Sequence, residues 1–129
     1  WQPYMYTAQM FRDSVNKVRD FASQDGRTLA EDFAFTSFSY VSMAATVEAG
    51  RANAIEQLSY RFNLPFEKMV DKYCSYGRPE DIIESLSNYV DAGATSLVVA
   101  LVMPPEERLE YVERFANEIL PALKRPTIR

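Results

Sequence analysis

The chain of 129 residues contains no histidine and only one cysteine, Cys74. The absence of histidine excludes Ser-His-Asp and Cys-His nucleophilic sites within this chain, and also any zinc site that requires imidazole. A single cysteine excludes an internal disulfide framework of the kind that stabilises small secreted proteins. Because Cys74 has no histidine or second thiol to activate it, we interpret it as a small buried apolar residue rather than a nucleophile.

Long apolar runs and an excess of positive charge are also missing. The longest apolar stretch, Leu97–Met103, has the length of a strand and falls well short of the roughly 18 residues that span a membrane. Fourteen basic and 18 acidic residues give a net charge of −4, and the basic tail Lys124–Arg129 is too short to attract nucleic acid. We therefore expect no membrane and no nucleic acid among the partners. The single cysteine and the lack of an export signal favour a cytoplasmic protein.

The composition that is present is typical of one globular domain. Hydrophobic residues make up 47% of the chain and charged residues 25%, so disorder is not expected. We expect a single incomplete domain over residues 1–129, because no linker or low-complexity tract divides the chain. The first residue is Trp1 rather than methionine, which favours excision from a longer polypeptide.

Strand-like and helix-like segments alternate along the chain. The patterns predict a strand over Trp1–Tyr6, a helix capped by Thr7 and ended by Gly26, a strand over Asp32–Ser42, a helix from Thr46 to Asn63, a shorter helix from Pro65 through Cys74, a helix from Pro79 to Gly93, a strand over Leu97–Val102 and a last helix from about Glu106 to Leu123. Such alternation is typical of right-handed parallel β/α units.

Burial can be predicted for some of these elements. The strand over Asp32–Ser42 has no clean polar face, so we expect it to be buried on both faces. The unbroken apolar strand over Leu97–Val102 is predicted to be central and fully buried. For the last helix, the apolar spacing predicts an inner face, which consists of Leu109, Val112, Ala116, Ile119 and Leu123.

Three short segments together resemble the bacterial luciferase-like superfamily. Gly77–Ile83 resembles the family's helix start of glycine, proline and acidic residues, and Tyr89–Ala94 resembles its turn into the eighth barrel strand. Glu118–Leu123 resembles the signature that ends the final helix. Shorter upstream matches lie at Gly26-Arg27 and Glu48-Ala49, and Trp1-Gln2-Pro3 resembles the sixth strand.

The resemblance implies a fold and an activity. The fold would be α/β, with three parallel β/α units forming the carboxyl-terminal part, β6 to α8, of a TIM (β/α)8 barrel. Complete barrels need about 250 residues, so an amino-terminal part would lie outside this chain. The activity would be that of an oxidoreductase, either a monooxygenase or a reductase, which uses reduced FMN or the deazaflavin coenzyme F-420 on a small organic substrate. Most cofactor contacts in the family come from segments absent here, so we expect this chain alone to be inactive.

Candidate site residues follow from the rule that barrel active sites lie at the carboxyl ends of strands. The cofactor- or substrate-binding candidates are Tyr4, Tyr6, Ser39, Tyr40 and Met103. Aromatic rings and a thioether could form a wall for a flavin or an apolar substrate. Tyr40 is the strongest candidate because it combines an apolar ring with a hydrogen-bonding hydroxyl. No residue is assigned a catalytic role, and no metal site is expected.

Two other sets of charged residues are predicted to lie at the surface. Arg78, at a helix start, could meet an anion, but a solvated arginine is the favoured interpretation. The acidic residues Glu106, Glu107, Glu110 and Glu113 suit the start and exposed face of the last helix.

A function of another class stays open: a non-catalytic β/α half-barrel that acts as a structural or self-associating subunit. The partner would be either the missing amino-terminal barrel half or a second copy of the chain, which would cover the open sheet edge.

Overall fold

The computed structural model describes residues 1–123, and the basic tail lies outside them. In chain order, the elements are α1 (Ala8–Gln24), β1 (Thr36–Met43), α2 (Val47–Phe62), α3 (Val70–Tyr73), β2 (Cys74–Gly77), α4 (Pro79–Asp91), β3 (Ser96–Leu101), a 3₁₀ turn (Pro105–Glu107), α5 (Arg108–Arg114), a π-helical turn (Phe115–Ile119) and α6 (Leu120–Leu123). Within this part of the chain, no helix is both long and apolar enough to cross a membrane.

The three strands form one parallel sheet with β1 in the centre, in the order β2-β1-β3. Tyr40 of β1 pairs with Cys74 of β2, and Thr36 pairs with Ser96 of β3. The predicted α/β class with three parallel strands is therefore confirmed, as is the burial of β1 on both of its faces.

The prediction that the strand over Leu97–Val102 is central and fully buried is wrong. These residues do form a parallel strand, but β3 lies at the edge of the sheet. Val98 keeps 39% of its surface exposed, and of these six residues only Val102 is buried. An unbroken apolar run indicates that both faces of a strand are covered, but it does not show whether another strand pairs with each of its two edges.

The strand predicted over Trp1–Tyr6 is absent, and the strand Cys74–Gly77 was missed. Within this segment, only Trp1 makes the two hydrogen bonds of a parallel ladder. Its amino group donates to the Ala34 carbonyl at 2.8 Å, and its carbonyl accepts from the Thr36 N–H at 2.9 Å. Met5, at φ 56°, is in the left-handed region and interrupts an extended path. The four residues of β2 are too few to show a periodic pattern, and their pairing with β1 makes them a strand.

Helices cover both faces of the sheet. Side chains of Phe38, Tyr40 and Ser42 point to one face, where α2 packs, which we call the α2 face. The residues of β1 that lie between these, such as Val41 and Met43, point to the opposite face. Helices α1, α4 and α5 cover that face, which we call the α4 face. In a closed barrel the helices lie outside the ring of strands, whereas these three strands form an open sheet between two helical layers.

The predicted helix ends are well reproduced. The Thr7 hydroxyl accepts a hydrogen bond from the Met10 N–H, and the Thr46 hydroxyl accepts one from the Ala49 N–H. These bonds satisfy amide groups that the first helical turn leaves free. Asn63 ends α2 in the left-handed conformation.

The last helix has the predicted extent but a different inner face. Of the predicted inner face, Ile119 is buried as expected, but Leu109 is 79% exposed, and Val112 and Ala116 are also exposed. Tyr111, which was not among these residues, is buried. Pro121 lacks an N–H and its ring crowds the preceding turn. The π-helical turn directly before it widens the helix there and changes which side chains face the sheet.

Candidate functional site

Two of the predicted site residues, Tyr4 and Tyr40, meet on the α2 face. Their hydroxyl oxygens lie 2.5 Å apart, and their rings pack edge to face at 6.4 Å between centroids. Tyr40 is buried, whereas half of the Tyr4 surface is exposed. Phe38 and Phe62 also pack edge to face against the Tyr40 ring. The fold thus holds one buried phenol in an aromatic cluster and links it to a partly exposed one.

We expect Tyr40 to be among the last tyrosines of the folded chain to ionise. Burial, followed by the hydrogen bond to Tyr4, raises the pKa of Tyr40 from 10.0 to about 12, because both favour the neutral phenol. The folded state therefore keeps a proton that the unfolded state loses, and this contribution to stability is lost as the pH rises from about 10 towards 12. Absorbance at 295 nm should show a late-titrating phenol that Tyr40→Phe removes and Tyr73→Phe leaves in place. A titration unchanged by Tyr40→Phe would contradict the assignment.

Met103 lines a groove beside this cluster. The groove has a volume of about 190 Å³ and runs between the second half of α2 and the end of β3; its lining residues are Gln57, Leu58, Tyr60, Arg61, Leu101, Val102 and Met103. Arg61 places its guanidinium over the Tyr40 ring, 5.8 Å from the centroid. The groove and the tyrosine pair therefore form one continuous site through Arg61. The sequence analysis did not select Arg61 or Tyr60. Both lie on α2, and they share a groove with Met103 only because α2 packs beside the end of β3 in the folded chain.

The other two predicted site residues lie on the opposite side of the sheet. Tyr6 packs with the α1 and α4 cluster, and its carbonyl accepts a hydrogen bond from the Tyr89 hydroxyl at 2.7 Å. Ser39 is buried on the α4 face, where its hydroxyl and that of Ser37 make no hydrogen bond with the described residues. The structure therefore brings Tyr4 and Tyr40 into contact and separates Tyr6 and Ser39 from them. Met103 lies in the groove with Arg61, and its side chain also packs against the cluster on the α4 face.

A second cavity, of about 390 Å³, lies at the carboxyl ends of β1 and β3. It is lined by Met43, Ala44, Asn53, Pro104, Glu107, Glu110, Tyr111 and Arg114. The connections after β1 and β3 turn to opposite faces of the sheet, so this crevice is at a topological switch point. Asn53 spans it from α2, donating to the Ser42 hydroxyl at 2.7 Å and to the Val102 carbonyl at 3.0 Å. Its charged groups are two exposed carboxylates and Arg114, which is paired with Glu118.

The remaining charged and nucleophilic candidates have structural roles. Asp81 accepts two hydrogen bonds from the Arg78 guanidinium and one from the Arg78 N–H, so Arg78 does not present a free charge. Burial raises the pKa of the Cys74 thiol to about 12, which keeps it protonated and unreactive at neutral pH. Among the described residues, no group of three or more histidine, cysteine or acidic side chains is arranged to hold a metal ion.

The residues of this chain fit a flavin-type cofactor only in part. The aromatic and thioether groups around Tyr4 and Met103 suit the edge of a planar ring. The carboxyl-end crevice does not suit a phosphate, because Glu107 and Glu110 line it and Arg114 is already neutralised. Groups that bind a cofactor phosphate would have to come from polypeptide outside this chain.

Comparison with solved structures identifies the fold. No protein-family model and no curated protein sequence matches the chain. The crystal structure of the monooxygenase RslO1 from Streptomyces bottropensis is 18% identical and superposes on 96% of this chain with a TM-score of 0.69. The coenzyme F420 dependent tetrahydromethanopterin reductase from Methanopyrus kandleri is 16% identical over 92% of this chain, with a TM-score of 0.62.

Both of these structures are TIM-barrel proteins. The chain therefore has the fold of part of such a protein. It spans 41% of the length of the first and 43% of the second.

Proposed function

We propose that this chain is part of a luciferase-like oxidoreductase, a monooxygenase or reductase that acts on a small organic substrate. The observation that carries the proposal is the superposition of nearly the whole chain on part of a monooxygenase and of an F420-dependent reductase. The resemblance of Gly77–Ile83, Tyr89–Ala94 and Glu118–Leu123 to the same superfamily supports it independently of the structure.

The cofactor in this proposal is FMN or the deazaflavin coenzyme F-420, which would supply the hydride- or oxygen-transfer chemistry when bound. This chain would contribute the apolar wall of the site. Tyr40 is held rigidly by its ring contacts and fixes the hydroxyl of Tyr4, which stays accessible at the surface. A fixed, partly apolar wall excludes water and orients a planar group.

A complete site requires further polypeptide. Three strands do not close a barrel, and the chain spans less than half of each related structure. The proposal therefore includes a partner that supplies the amino-terminal β/α units and the phosphate-binding groups. It also places the assembly in the cytoplasm, for which the single free cysteine is the support.

One observation favours the structural alternative. Within residues 1–123, the outer side of β3 has no neighbouring strand, and an apolar hollow of about 290 Å³ lies beside it, lined by Leu97, Val99, Phe115, Leu120 and Leu123. Uncharged strand edges of this kind invite pairing with another strand. A second copy of the chain would cover this edge without adding any cofactor site.

Native mass spectrometry of the protein purified from its natural source decides between the two functions. We expect an assembly in which this chain is joined by polypeptide that supplies the remaining strands, together with a bound mass equal to FMN or coenzyme F-420. Apo-assembly incubated with each cofactor serves as the control for loss during purification. A homo-oligomer of 14.8 kDa chains that takes up neither cofactor would contradict the oxidoreductase proposal and support the structural one.

A further inference from the structure

The groove between α2 and β3 contains an arginine whose charge is not neutralised by a carboxylate. Arg51, Arg78 and Arg114 each form an ion pair with an acidic side chain. Arg61 forms no ion pair within residues 1–123, and its contact there is with the face of the Tyr40 ring. Arg12, Arg19, Arg27 and Arg108 also form no ion pair within these residues, and Arg19 lies over the Phe35 ring. Arg61 is distinguished from them by its place in the lining of the groove between α2 and β3.

The Arg61 contact with the Tyr40 ring places the guanidinium carbon 5.8 Å from the ring centroid. A guanidinium that lies over an aromatic ring uses its flat face for the cation–π contact. Its N–H groups point outward in the plane of the group, and two of them match the two oxygens of a carboxylate. The Tyr40 ring, which packs against Tyr4 and Phe62, therefore keeps the charge of Arg61 at the groove, where its N–H groups are the donors for an anion.

The rest of the groove suits an aromatic ring. Tyr60 lies next to Arg61 and is 89% exposed, although a tyrosine ring at the surface gains little from solvent. Leu58 and Val102, which are buried, form an apolar floor, and Met103 adds a polarizable thioether. A groove of about 190 Å³ accommodates one ring with a short substituent, and Gln57 adds an amide at its rim.

We propose that this groove binds a small aromatic carboxylate, with Arg61 pairing with the carboxylate and Tyr60 and Met103 contacting the ring. The site goes beyond the proposed oxidoreductase function and does not depend on it, because all of its groups belong to this chain. Tyr40 acts as a positioning residue for Arg61 and does not touch the ligand.

The test is a titration of the isotope-labelled full chain with sodium benzoate, followed by amide NMR shifts. We expect saturable shifts that centre on Gln57, Arg61 and Met103. Arg61→Gln should weaken the binding about tenfold or more, because it removes a hydrogen-bonded charge pair. Tyr60→Ala should weaken it severalfold through loss of ring contact. Both positions are exposed, so the variants should fold, and their amide spectra verify this.

The control variant is Arg12→Gln, which removes the same charge from an exposed position on α1 and should leave the affinity unchanged. Benzyl alcohol tests the need for charge, and acetate tests the need for a ring; both should bind at least tenfold more weakly than benzoate. Equal weakening by Arg12→Gln, equal binding of either analogue, or the absence of saturable shifts with benzoate would overturn the proposal. No flavin is present in this experiment, so its failure leaves the oxidoreductase proposal unaffected.

Discussion

Replacing Gly50 with alanine should destabilise the protein by about 3 kcal/mol, at the upper end of the cost of overpacking. Gly50 lies where α2 crosses the sheet, and an added Cβ would be 2.5 Å from the Gly77 nitrogen and 3.1 Å from the Ser42 carbonyl oxygen. Both contacts are with backbone atoms, which cannot rotate away as a side chain can. Urea unfolding followed by circular dichroism measures the change.

The direction of the change in the free energy of unfolding distinguishes a crowded glycine site from an exposed one. At an exposed helical position, a change from glycine to alanine stabilises by about 1 kcal/mol, because alanine restricts the unfolded chain and favours the helix. The reverse change at the exposed Ala52 of the same helix is the matched control and should cost no more than about 1 kcal/mol. A Gly50→Ala variant with an unchanged or higher urea midpoint would show that α2 does not pack closely against β2.

Replacing Phe11 with alanine should have the second large effect, a loss of about 3–5 kcal/mol. Phe11 is fully buried and attaches α1 to the sheet, with its ring 5.3 Å from that of Trp1 and 6.3 Å from that of Tyr89. Removing the ring leaves a cavity among aromatic groups that cannot collapse fully. The loss is a large part of the 5–15 kcal/mol that stabilises a typical domain.

Phe21 provides the control on the same helix. Its ring is 66% exposed, so Phe21→Ala should change the stability by less than about 1 kcal/mol. Thermal unfolding of the two variants beside the unmodified chain is sufficient for the comparison. Equal losses at both positions would mean that α1 is not attached to the sheet through Phe11.

Local signals were read correctly from the sequence where the physical cause is local. Thr7 and Thr46 were identified as helix caps because a hydroxyl placed before an apolar stripe satisfies amides of the first turn. The class of the fold was also accessible, since alternating strands and helices bury their apolar faces by forming parallel β/α units. The resemblance at Gly77–Ile83 and Glu118–Leu123 implies part of a TIM barrel, and the structural comparison shows that fold.

The predictions failed where the cause lies in distant neighbours. The sequence predicts a helix through Cys74 and no strand over Cys74–Gly77, because four residues carry no period and only pairing with β1 makes them extended. The strand over Leu97–Val102 was placed in the sheet centre, although an apolar run looks the same in a central strand and in an edge strand with covered faces. In the last helix, the spacing correctly predicts that Ile119 is buried, but it also selects Leu109 and Val112, which are exposed, and does not select Tyr111, which is buried. The π-helical turn Phe115–Ile119 changes the helical spacing between Tyr111 and Ile119.

The candidate site divides in the same way. The sequence selects Tyr40 and Tyr4 as site candidates from their residue type and their place near predicted strand ends, and the structure brings their hydroxyl groups into contact. The sequence placed Tyr6 and Ser39 in the same group, because all four lie near predicted strand ends. The pleat of β1 sends the side chain of Ser39 to the opposite face from Tyr40. Arg61 enters the site from a helix, so no rule about strand ends could have selected it.

Four features follow from the amino-acid sequence alone, because each depends on composition or on interactions within a few residues: the helix caps, the α/β class, the buried character of β1 and the residue types from which a site could be built. Other features required the folded chain: the strand order, the edge position of β3, the two helical layers and the meeting of Tyr4, Tyr40 and Arg61. These features depend on which apolar surfaces cover one another across long separations in the chain, and that choice is made by packing, which no local pattern records.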